Sequence, residues 1–147
     1  MTKLAHDLMT PDPACCTPHA TLDEVAKLMV EHDCGEIPVI NSADRPVGVI
    51  TDRDIVCRVV ADGKNPMGYT VETCMTQPVV TVSADDSIDK VLATMEKHRI
   101  RRVLVVDEDG CCCGIISQAD IARNEPWREV AGLVREVSSE SGNAAAR

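Results

Sequence analysis

The sequence predicts an α/β fold built from two related halves, and an internal repeat is the main observation behind this prediction. Residues 9–55 align with residues 75–121 without a gap, and 11 of the 47 aligned pairs are identical. Average amino-acid usage would give about three identities by chance. A second observation is that each half combines a helical apolar pattern with two β-rich runs. The pattern predicts two equivalent units related by a pseudo-twofold axis.

Each half has a first helix that is predicted to begin after a hydroxyl residue. Thr21 precedes the apolar stripe in one half and Ser87 precedes it in the other, and both stripes have helical spacing. Glu24 completes a capping box with Thr21, whereas Lys90 does not complete one with Ser87. The apolar positions are Leu22, Val25, Ala26 and Met29, then Ile88, Val91, Leu92 and Met95.

Two short β-rich runs follow each of these helices, separated by turns that are short enough for hairpins. An extended segment precedes each first helix, at residues 13–17 and 78–82, and a second helix is predicted to begin near Asp52 and near Gln118. The predicted order in each repeat is therefore β-α-β-β-α. The four β-rich runs are residues 37–40, 47–50, 103–106 and 113–116.

These elements predict the boundaries of five segments. The first repeat with its N-terminal segment takes residues 1–60, and a linker with two glycines and one proline takes residues 61–72. The second repeat takes residues 73–124. A C-terminal helix is expected at residues 125–138, and a flexible tail at residues 139–147.

The C-terminal helix is opened by Pro126 and is predicted to carry one apolar face. That face either packs on its own domain or forms a subunit interface, since a Trp anchor serves both purposes. Its members are Trp127, Val130, Ala131, Val134 and Val137.

Composition and charge exclude several classes of function. The net charge of −9 and the pI near 4.8 disfavour nucleic acid and anionic membranes as partners, because both would be repelled. No signal peptide or membrane span is visible, so we expect a soluble cytoplasmic protein. The eight cysteines include no C-x-x-C pair, which favours reduced thiols and predicts no metal site.

One short motif occurs in both halves, at residues 48–54 and 114–120. Both copies read glycine, two aliphatic residues, a hydroxyl residue, two variable residues and aspartate. The motif lies where a strand leads into a helix, so the free N–H groups there suit an anion. The same spacing of hydroxyl and carboxylate is that of a capping box, which needs no ligand. The residues alone leave both interpretations open.

The motifs in combination resemble the CBS domain family. They are a Met-Thr pair followed shortly by proline, the helix, the hairpin sequence RRVLVVDEDG, and the Gly-to-Asp motif in both repeats. The resemblance covers both repeats and is to a small stand-alone CBS pair, or Bateman module. It implies tandem domains that pack through their strands and form two clefts for adenosine-containing ligands.

The resemblance also implies roles for particular residues. The motif aspartate holds the ribose hydroxyls, the Thr or Ser contacts phosphate, and basic residues before the second strand meet phosphate. Aliphatic side chains and main chain of the first strand of the opposite repeat hold the adenine, and Arg53 could reach into one cleft. The predicted ligand-binding residues are Asp120, Ser117, Arg101, Arg102, Cys15, Cys16, Thr17, Asp54, Thr51, Arg53, Val80 and Val82.

The two predicted clefts differ in charge. Arg101 and Arg102 align with Gly35 and Glu36, so the first repeat has a negative charge where the second has two positive ones. We therefore expect the Asp120 cleft to bind a phosphorylated adenosine ligand more tightly.

The predicted function is a non-enzymatic regulatory module without cofactor or metal. Its ligand is expected to be AMP, ADP or ATP, with NAD and S-adenosylmethionine as further candidates, and it modulates an unknown protein partner as a homodimer. One alternative is a ligand-free, stress-related dimeric scaffold. A second alternative is a thiol or metal sensor that uses Cys15, Cys16, Cys34 and residues 111–113.

Overall fold

The computed structural model describes residues 3–139 and has the predicted α/β fold. Each repeat follows the predicted order, with the first strand of the first repeat reduced to a single bridge between Cys16 and Val39. The predicted tail, apart from Ser139, lies outside the described residues. Among those residues, no helix is long and apolar enough to cross a membrane.

The helices and strands have the following bounds. The N-terminal segment contains α1 (Ala5–Leu8) and β1 (Thr10–Pro11). The first repeat contains α2 (Leu22–Glu31), β2 (Glu36–Ile40), β3 (Pro46–Thr51) and α3 (Asp52–Ile55), which continues in a π-helical turn at Val56–Val60. Two 3-10 turns follow, at Pro66–Gly68 and Val71–Thr73. The second repeat contains β4 (Thr81–Ser83), α4 (Ile88–His98), β5 (Arg102–Val106), β6 (Cys112–Ser117) and α5 (Gln118–Asn124), followed by α6 (Trp127–Val137).

The chain divides into two compact units whose boundaries differ from the repeat boundaries. One unit is Pro13–Val79, and the other combines the segment ending at Asp12 with the chain from Val80 onward. The sequence-based division grouped the N-terminal segment with the first repeat, but its described part packs on the second repeat. The reason is that β1 pairs antiparallel with β6 and that Ala5 and Leu8 are buried in that unit's core.

The first unit is built on the β2–β3 hairpin. Its two strands pair antiparallel, and α2 contributes three buried side chains to a core that includes Ile37 and Ile50. The segment before the second repeat also belongs here, since Thr76 pairs with Val49. Val71, within the predicted linker of residues 61–72, is fully buried in the same core. Part of that linker is therefore a structural element of the first unit.

The second unit contains a four-stranded sheet with the order β1-β6-β5-β4. The β4 and β5 strands pair in parallel, and β5 and β6 form an antiparallel hairpin. The helices α4, α5 and α6 supply buried residues to the core of this unit.

Each Met-Thr pair lies on the hairpin of the other repeat, and a glycine makes this approach possible. An added Cβ at Gly48 would lie 2.9 Å from the Thr76 carbonyl oxygen and 3.0 Å from Met75 Sδ. In the second unit, a Cβ at Gly114 would collide with the side chain of Met9. The glycine that begins each copy of the motif is therefore needed for packing of the Met-Thr segment.

The C-terminal helix α6 divides its apolar residues between two faces. Leu133 and Val137 are buried in the core of the second unit, and Val130 packs against them. Trp127 is 76% exposed and Val134 is also exposed. The single face predicted from the sequence is therefore wrong in its membership, because Leu133 replaces Trp127 and Val134 on the packed side.

Candidate functional site

The motif of the first repeat forms a capped turn between β3 and α3. Thr51 Oγ1 accepts a hydrogen bond from the Asp54 N–H at 3.0 Å. The Asp54 carboxylate in return accepts one from the Thr51 N–H at 2.9 Å. The predicted capping box is thus confirmed for this repeat.

The motif of the second repeat forms the same turn between β6 and α5. The Asp120 carboxylate accepts hydrogen bonds from the Ser117 N–H at 2.8 Å and from Ser117 Oγ at 3.0 Å. The Asp120 N–H lies 3.2 Å from Ser117 Oγ. Both repeats therefore hold their aspartate in one orientation through the hydroxyl residue three positions earlier.

The two aspartates differ in their remaining partners. Asp54, whose side chain is 1% exposed, accepts a hydrogen bond from Thr76 Oγ1 and forms an ion pair with Arg58 at 3.7 Å. Asp120 accepts a hydrogen bond from the Arg123 guanidinium at 2.9 Å, and that arginine side chain is 69% exposed. The carboxylate of the first repeat is consequently enclosed by protein, whereas a solvent-exposed side chain covers that of the second.

Three of these partners were missed by the sequence reasoning. Arg58 and Arg123 follow their aspartates by four and three residues, and this helical spacing was a readable signal. Thr76 lies 22 residues from Asp54. It belongs to the repeated Met-Thr pair, and the alignment gives no sign of which aspartate this pair contacts.

The structure brings the predicted basic residues next to the turn of the second repeat. Arg102 is the cross-strand partner of Ser117 in the β5–β6 register. The carbonyl of Arg101 accepts a hydrogen bond from the Gln118 N–H at 2.8 Å, and Arg101 is exposed. Cross-strand partners lie about 5 Å apart at Cβ, so the side chains of Arg102 and Ser117 start from neighbouring positions on the hairpin.

The equivalent place in the first repeat carries the opposite charge. Glu36 is the cross-strand partner of Thr51, and the Gly35 carbonyl accepts a hydrogen bond from the Asp52 N–H at 3.0 Å. Glu36 is buried. A phosphate at this turn would therefore face a carboxylate where the second repeat offers a guanidinium.

The first-strand residues of the predicted ligand set lie in the unit of their own repeat. The side chain of Cys16 is buried in the core, and its main chain bonds to Pro38 and Ile40 of β2. Its neighbours Cys15 and Thr17 are half-buried and exposed, respectively. The Cys16 side chain therefore contributes to packing, because the alternation along the strand directs it inward.

The corresponding residues of the second repeat follow the same alternation. Val82 is buried and pairs with Val105, whereas Val80 is half-buried at the edge of the core. Arg53, proposed to reach into the first cleft, is exposed on α3. Of these residues, Val80 and Arg53 retain accessible side-chain surface.

Burial gives Asp54 an unusual protonation behaviour. Desolvation raises the pKa of its carboxyl group above the ordinary value of 3.8, and this effect outweighs the lowering caused by the Thr51, Arg58 and Thr76 contacts. A raised folded-state pKa means that the charged form costs folding free energy. That cost is absent at a pH below the unfolded-state pKa and is fully present once the pH exceeds the folded-state pKa.

We therefore expect wild-type protein to gain stability relative to the Asp54→Asn variant as the pH falls through the raised pKa of Asp54. Urea unfolding at a series of pH values between 7 and 4 measures the difference in unfolding free energy between the two proteins. The corresponding Asp23→Asn pair is the control, because the pKa of Asp23 is lowered by its hydrogen bond to Thr21 and its pH trend has the opposite sign. The prediction would be contradicted if the unfolding free energy of wild-type protein minus that of Asp54→Asn stayed constant or fell as the pH was lowered.

The cysteines form no evident metal centre. None of the eight forms a disulfide, and within residues 3–139 no group of three or more Cys, His, Asp or Glu side chains is arranged to hold a metal ion. Cys16 and Cys74 are buried, whereas Cys34 and Cys57 are exposed. Burial raises the pKa of the Cys16 thiol to about 12, so its reactive thiolate is scarce at neutral pH.

Alkylation at pH 8 should therefore separate the thiols into classes. We expect Cys34 and Cys57 to react with a maleimide in the native protein, and Cys16 and Cys74 to react only in denaturant. Peptide mass spectrometry after timed quenching identifies the labelled positions, and the urea-unfolded protein is the control. Equal native labelling rates for Cys16 and Cys34 would contradict the assigned burial.

Two β-α-β-β-α repeats, each with a capped hydroxyl-to-aspartate turn after its hairpin, define a tandem small-domain protein of the kind predicted. The chain belongs to the CBS domain family, whose family model matches residues 5–61 and 71–126.

Relatives of known identity cover most of the chain. Hypoxic response protein 1 from Mycobacterium tuberculosis is 37% identical over 135 residues, which are 92% of this chain and 94% of that protein. A crystal structure of Hypoxic Response Protein I with two coordinated zinc ions covers 84% of this chain and 100% of its own, with a TM-score of 0.76 and 39% identity.

Two further similar structures contain adenosine ligands. The CBS domain pair of protein MJ0100, in complex with 5'-methylthioadenosine and S-adenosyl-L-methionine, has a TM-score of 0.74 and 30% identity, covering 84% of this chain and 95% of that one. The structure of CBSX2 in complex with AMP has a TM-score of 0.69 and 25% identity, covering 82% of this chain and 93% of that one.

Proposed function

We propose that this protein is a regulatory CBS pair that binds an adenosine nucleotide at the turn of the second repeat. The observation that supports the proposal is the cross-strand pairing of Arg102 with Ser117, whose N–H and hydroxyl hydrogen-bond to Asp120. In the first repeat, Glu36 takes the place of Arg102 and pairs with Thr51.

The chemistry of these groups suits a nucleoside phosphate. A carboxylate accepts hydrogen bonds from both cis hydroxyls of a ribose, as Asp120 would do, and a guanidinium binds phosphate through two parallel hydrogen bonds. In the proposed complex, Ser117 and the side chains of Arg101 and Arg102 contact the phosphate. The full chain has one Tyr, one Trp and no Phe, so aliphatic side chains and main chain, rather than stacked aromatic rings, would hold the adenine.

The relatives support the same class of ligand. MJ0100 is described with 5'-methylthioadenosine and S-adenosyl-L-methionine, and CBSX2 with AMP. These three ligands share the adenosine group and differ at its 5' position. The arginines beside Ser117 favour AMP, ADP or ATP over ligands that have no phosphate at this position.

A calorimetric and thermal-shift titration tests this function. AMP, ADP, ATP, NAD and S-adenosylmethionine are each added at saturating concentration. A ligand at 100 times its dissociation constant stabilises the folded protein by about 2.7 kcal/mol, which for this chain length corresponds to a melting shift of roughly 5–10 °C. We expect such a shift with at least one of the three adenine nucleotides that carry a 5'-phosphate.

Two other outcomes would replace the proposed function. No shift with any of the five ligands would favour the ligand-free scaffold. A shift with zinc chloride alone would favour a metal sensor, in line with the zinc ions of Hypoxic Response Protein I. The described residues of a single chain contain no group of side chains arranged to hold a metal ion. A shift with zinc would therefore distinguish a metal sensor from the nucleotide-binding module proposed above.

We further propose that the protein is a cytoplasmic homodimer and that ligand binding alters its contact with a protein partner. The absence of disulfides among the eight cysteines, all of which lie in the described chain, suits a reducing compartment. Val30 is 83% exposed on α2, and Trp127 is exposed on α6. Large exposed apolar side chains of this kind are typical of interfaces. A ligand changes the partner's affinity only if it binds two arrangements of the protein unequally.

Sedimentation velocity tests the dimer. Wild-type protein is expected at twice the chain mass of 15.9 kDa. Val30→Lys and Trp127→Lys, made separately, identify whether either surface contributes, and Lys97→Glu is a control on the exposed side of α4. A wild-type protein that sediments as a monomer at micromolar concentration would contradict the homodimer.

A further inference from the structure

The acid of the first repeat is closed by a hydroxyl from the segment that leads to the second repeat. Thr76 Oγ1 donates to the Asp54 carboxylate, at 3.1 Å from Oδ1 and 3.2 Å from Oδ2. The Thr51 N–H also donates to Oδ2, at 2.9 Å. Because Asp54 is almost fully buried, a ribose hydroxyl could reach this carboxylate only by replacing the Thr76 hydroxyl.

The main chain fixes Thr76 in this position. Its N–H donates to the Val49 carbonyl at 2.8 Å, and its carbonyl accepts from the Val49 N–H at 3.1 Å. Arg58 donates to the carbonyls of the two preceding residues, Cys74 at 3.2 Å and Met75 at 3.1 Å. Threonine is β-branched and its χ1 rotamers are restricted, so a fixed main chain at Thr76 limits the positions that its hydroxyl can take.

Asp54, Arg58 and Thr76 together form what we call the Asp54 clasp. The carboxylate holds the hydroxyl, and the guanidinium holds the carbonyls before it. Both oxygens of the Asp54 carboxylate therefore already accept hydrogen bonds from the protein, from Thr51 and from Thr76. The clasp binds the inter-repeat segment in place of a ligand.

The acid of the second repeat has a different environment. Thr10 is the repeat equivalent of Thr76 and pairs with the hairpin in the same register, but it is exposed. Within the described chain, the hydrogen bonds to the Asp120 carboxylate come from Ser117 and Arg123. The Arg123 side chain is 69% exposed although Asp120 itself is buried, so a ligand can displace the arginine into solvent.

We infer that Thr76 determines which repeat takes a ligand, because its hydroxyl closes Asp54 and leaves Asp120 as the single ribose-binding acid of each chain. The inference rests on the proposed function and adds a stoichiometry to it: one adenosine nucleotide per chain. It also identifies Thr76 as a residue that sets specificity without contacting the ligand.

Calorimetric titration of the full chain with AMP as the probe tests the inference. Wild-type protein is expected to bind one AMP per chain. Thr76→Ala frees the Asp54 carboxylate and is expected to add a second, weaker site, giving two per chain. Thr76→Ser keeps the hydroxyl and is expected to remain at one, as is Thr10→Ala, the matched control at the equivalent position.

Two AMP sites per chain in wild-type protein, or one site in Thr76→Ala, would overturn the inference. If wild-type protein binds none of AMP, ADP and ATP, the proposed function fails, and the clasp is then tested by urea unfolding. A double-mutant cycle between Thr76→Ala and Asp54→Asn should show non-additivity of at least about threefold in the unfolding equilibrium constant. Additive effects would overturn the closure of Asp54 by Thr76.

Discussion

The Arg102→Glu variant is expected to bind AMP about 10- to 100-fold more weakly than wild-type protein, and to bind adenosine with nearly unchanged affinity. The substitution puts the charge of Glu36 at the equivalent position of the second repeat, across from Ser117. Charge-assisted contacts to phosphate at close range are worth about 1–3 kcal/mol, which sets the size of the effect. Adenosine has no phosphate, so it does not report this change.

Arg135→Glu is the matched control for the change in net charge. Arg135 is exposed on α6 and has no proposed contact with the ligand. Calorimetry with AMP and adenosine on both variants separates a local effect from a general one. Equal losses of AMP affinity in the two variants would show that Arg102 has no specific role. Equal losses of affinity for AMP and for adenosine in Arg102→Glu would show that the effect does not depend on the phosphate.

We expect Asp54→Ala to lower the free energy of unfolding by about 3 kcal/mol, the largest effect on stability among the substitutions considered. It removes the acceptor for the buried Thr51 N–H and for the Thr76 hydroxyl, and it leaves Arg58 without its carboxylate. For a chain of 147 residues, this corresponds to a fall in melting temperature of roughly 10 °C.

Asp120→Ala is the matched control at the equivalent position. We expect it to cost about 1 kcal/mol, because its arginine partner is exposed and can be hydrated after the loss. Urea unfolding of both variants without ligand measures the difference. Equal destabilisation by Asp120→Ala and Asp54→Ala would contradict the prediction, because the different partners of the two acids would then have no consequence for stability.

The sequence predicted the local elements well because each rests on a short-range pattern. The helices after Thr21 and Ser87 begin where the cap residues stand. The two hairpins have the expected pairing, with strands extended by one or two residues. The capping boxes of both motifs followed from the three-residue spacing alone.

Long-range pairings were less accessible. The alignment makes Met9 equivalent to Met75, but it contains no information on which repeat each segment packs against. The sequence-based boundaries therefore differ from the contact-based units at both segments. On α6, Leu133 and Trp127 are both apolar, and only the position of the neighbouring helices decides which of them is buried.

The candidate site shows the same limit. The motif and the charge difference between Arg102 and Glu36 could be read from the alignment, and the strand register now gives that difference a location. The contact between Asp54 and Thr76 could not be read, because its residues are far apart in sequence and a threonine hydroxyl has no distinctive pattern. It is this contact that makes the two aspartates unequal.

A crystal structure of the full chain grown with AMP would test the central proposal most directly. We predict electron density for one AMP per chain, with the ribose hydroxyls within hydrogen-bonding distance of the Asp120 carboxylate and the phosphate beside Ser117 and Arg102. The Asp54 carboxylate should still accept its hydrogen bond from Thr76. AMP bound at Asp54 with the Asp120 turn empty, or no AMP at either turn at saturating concentration, would contradict the proposal.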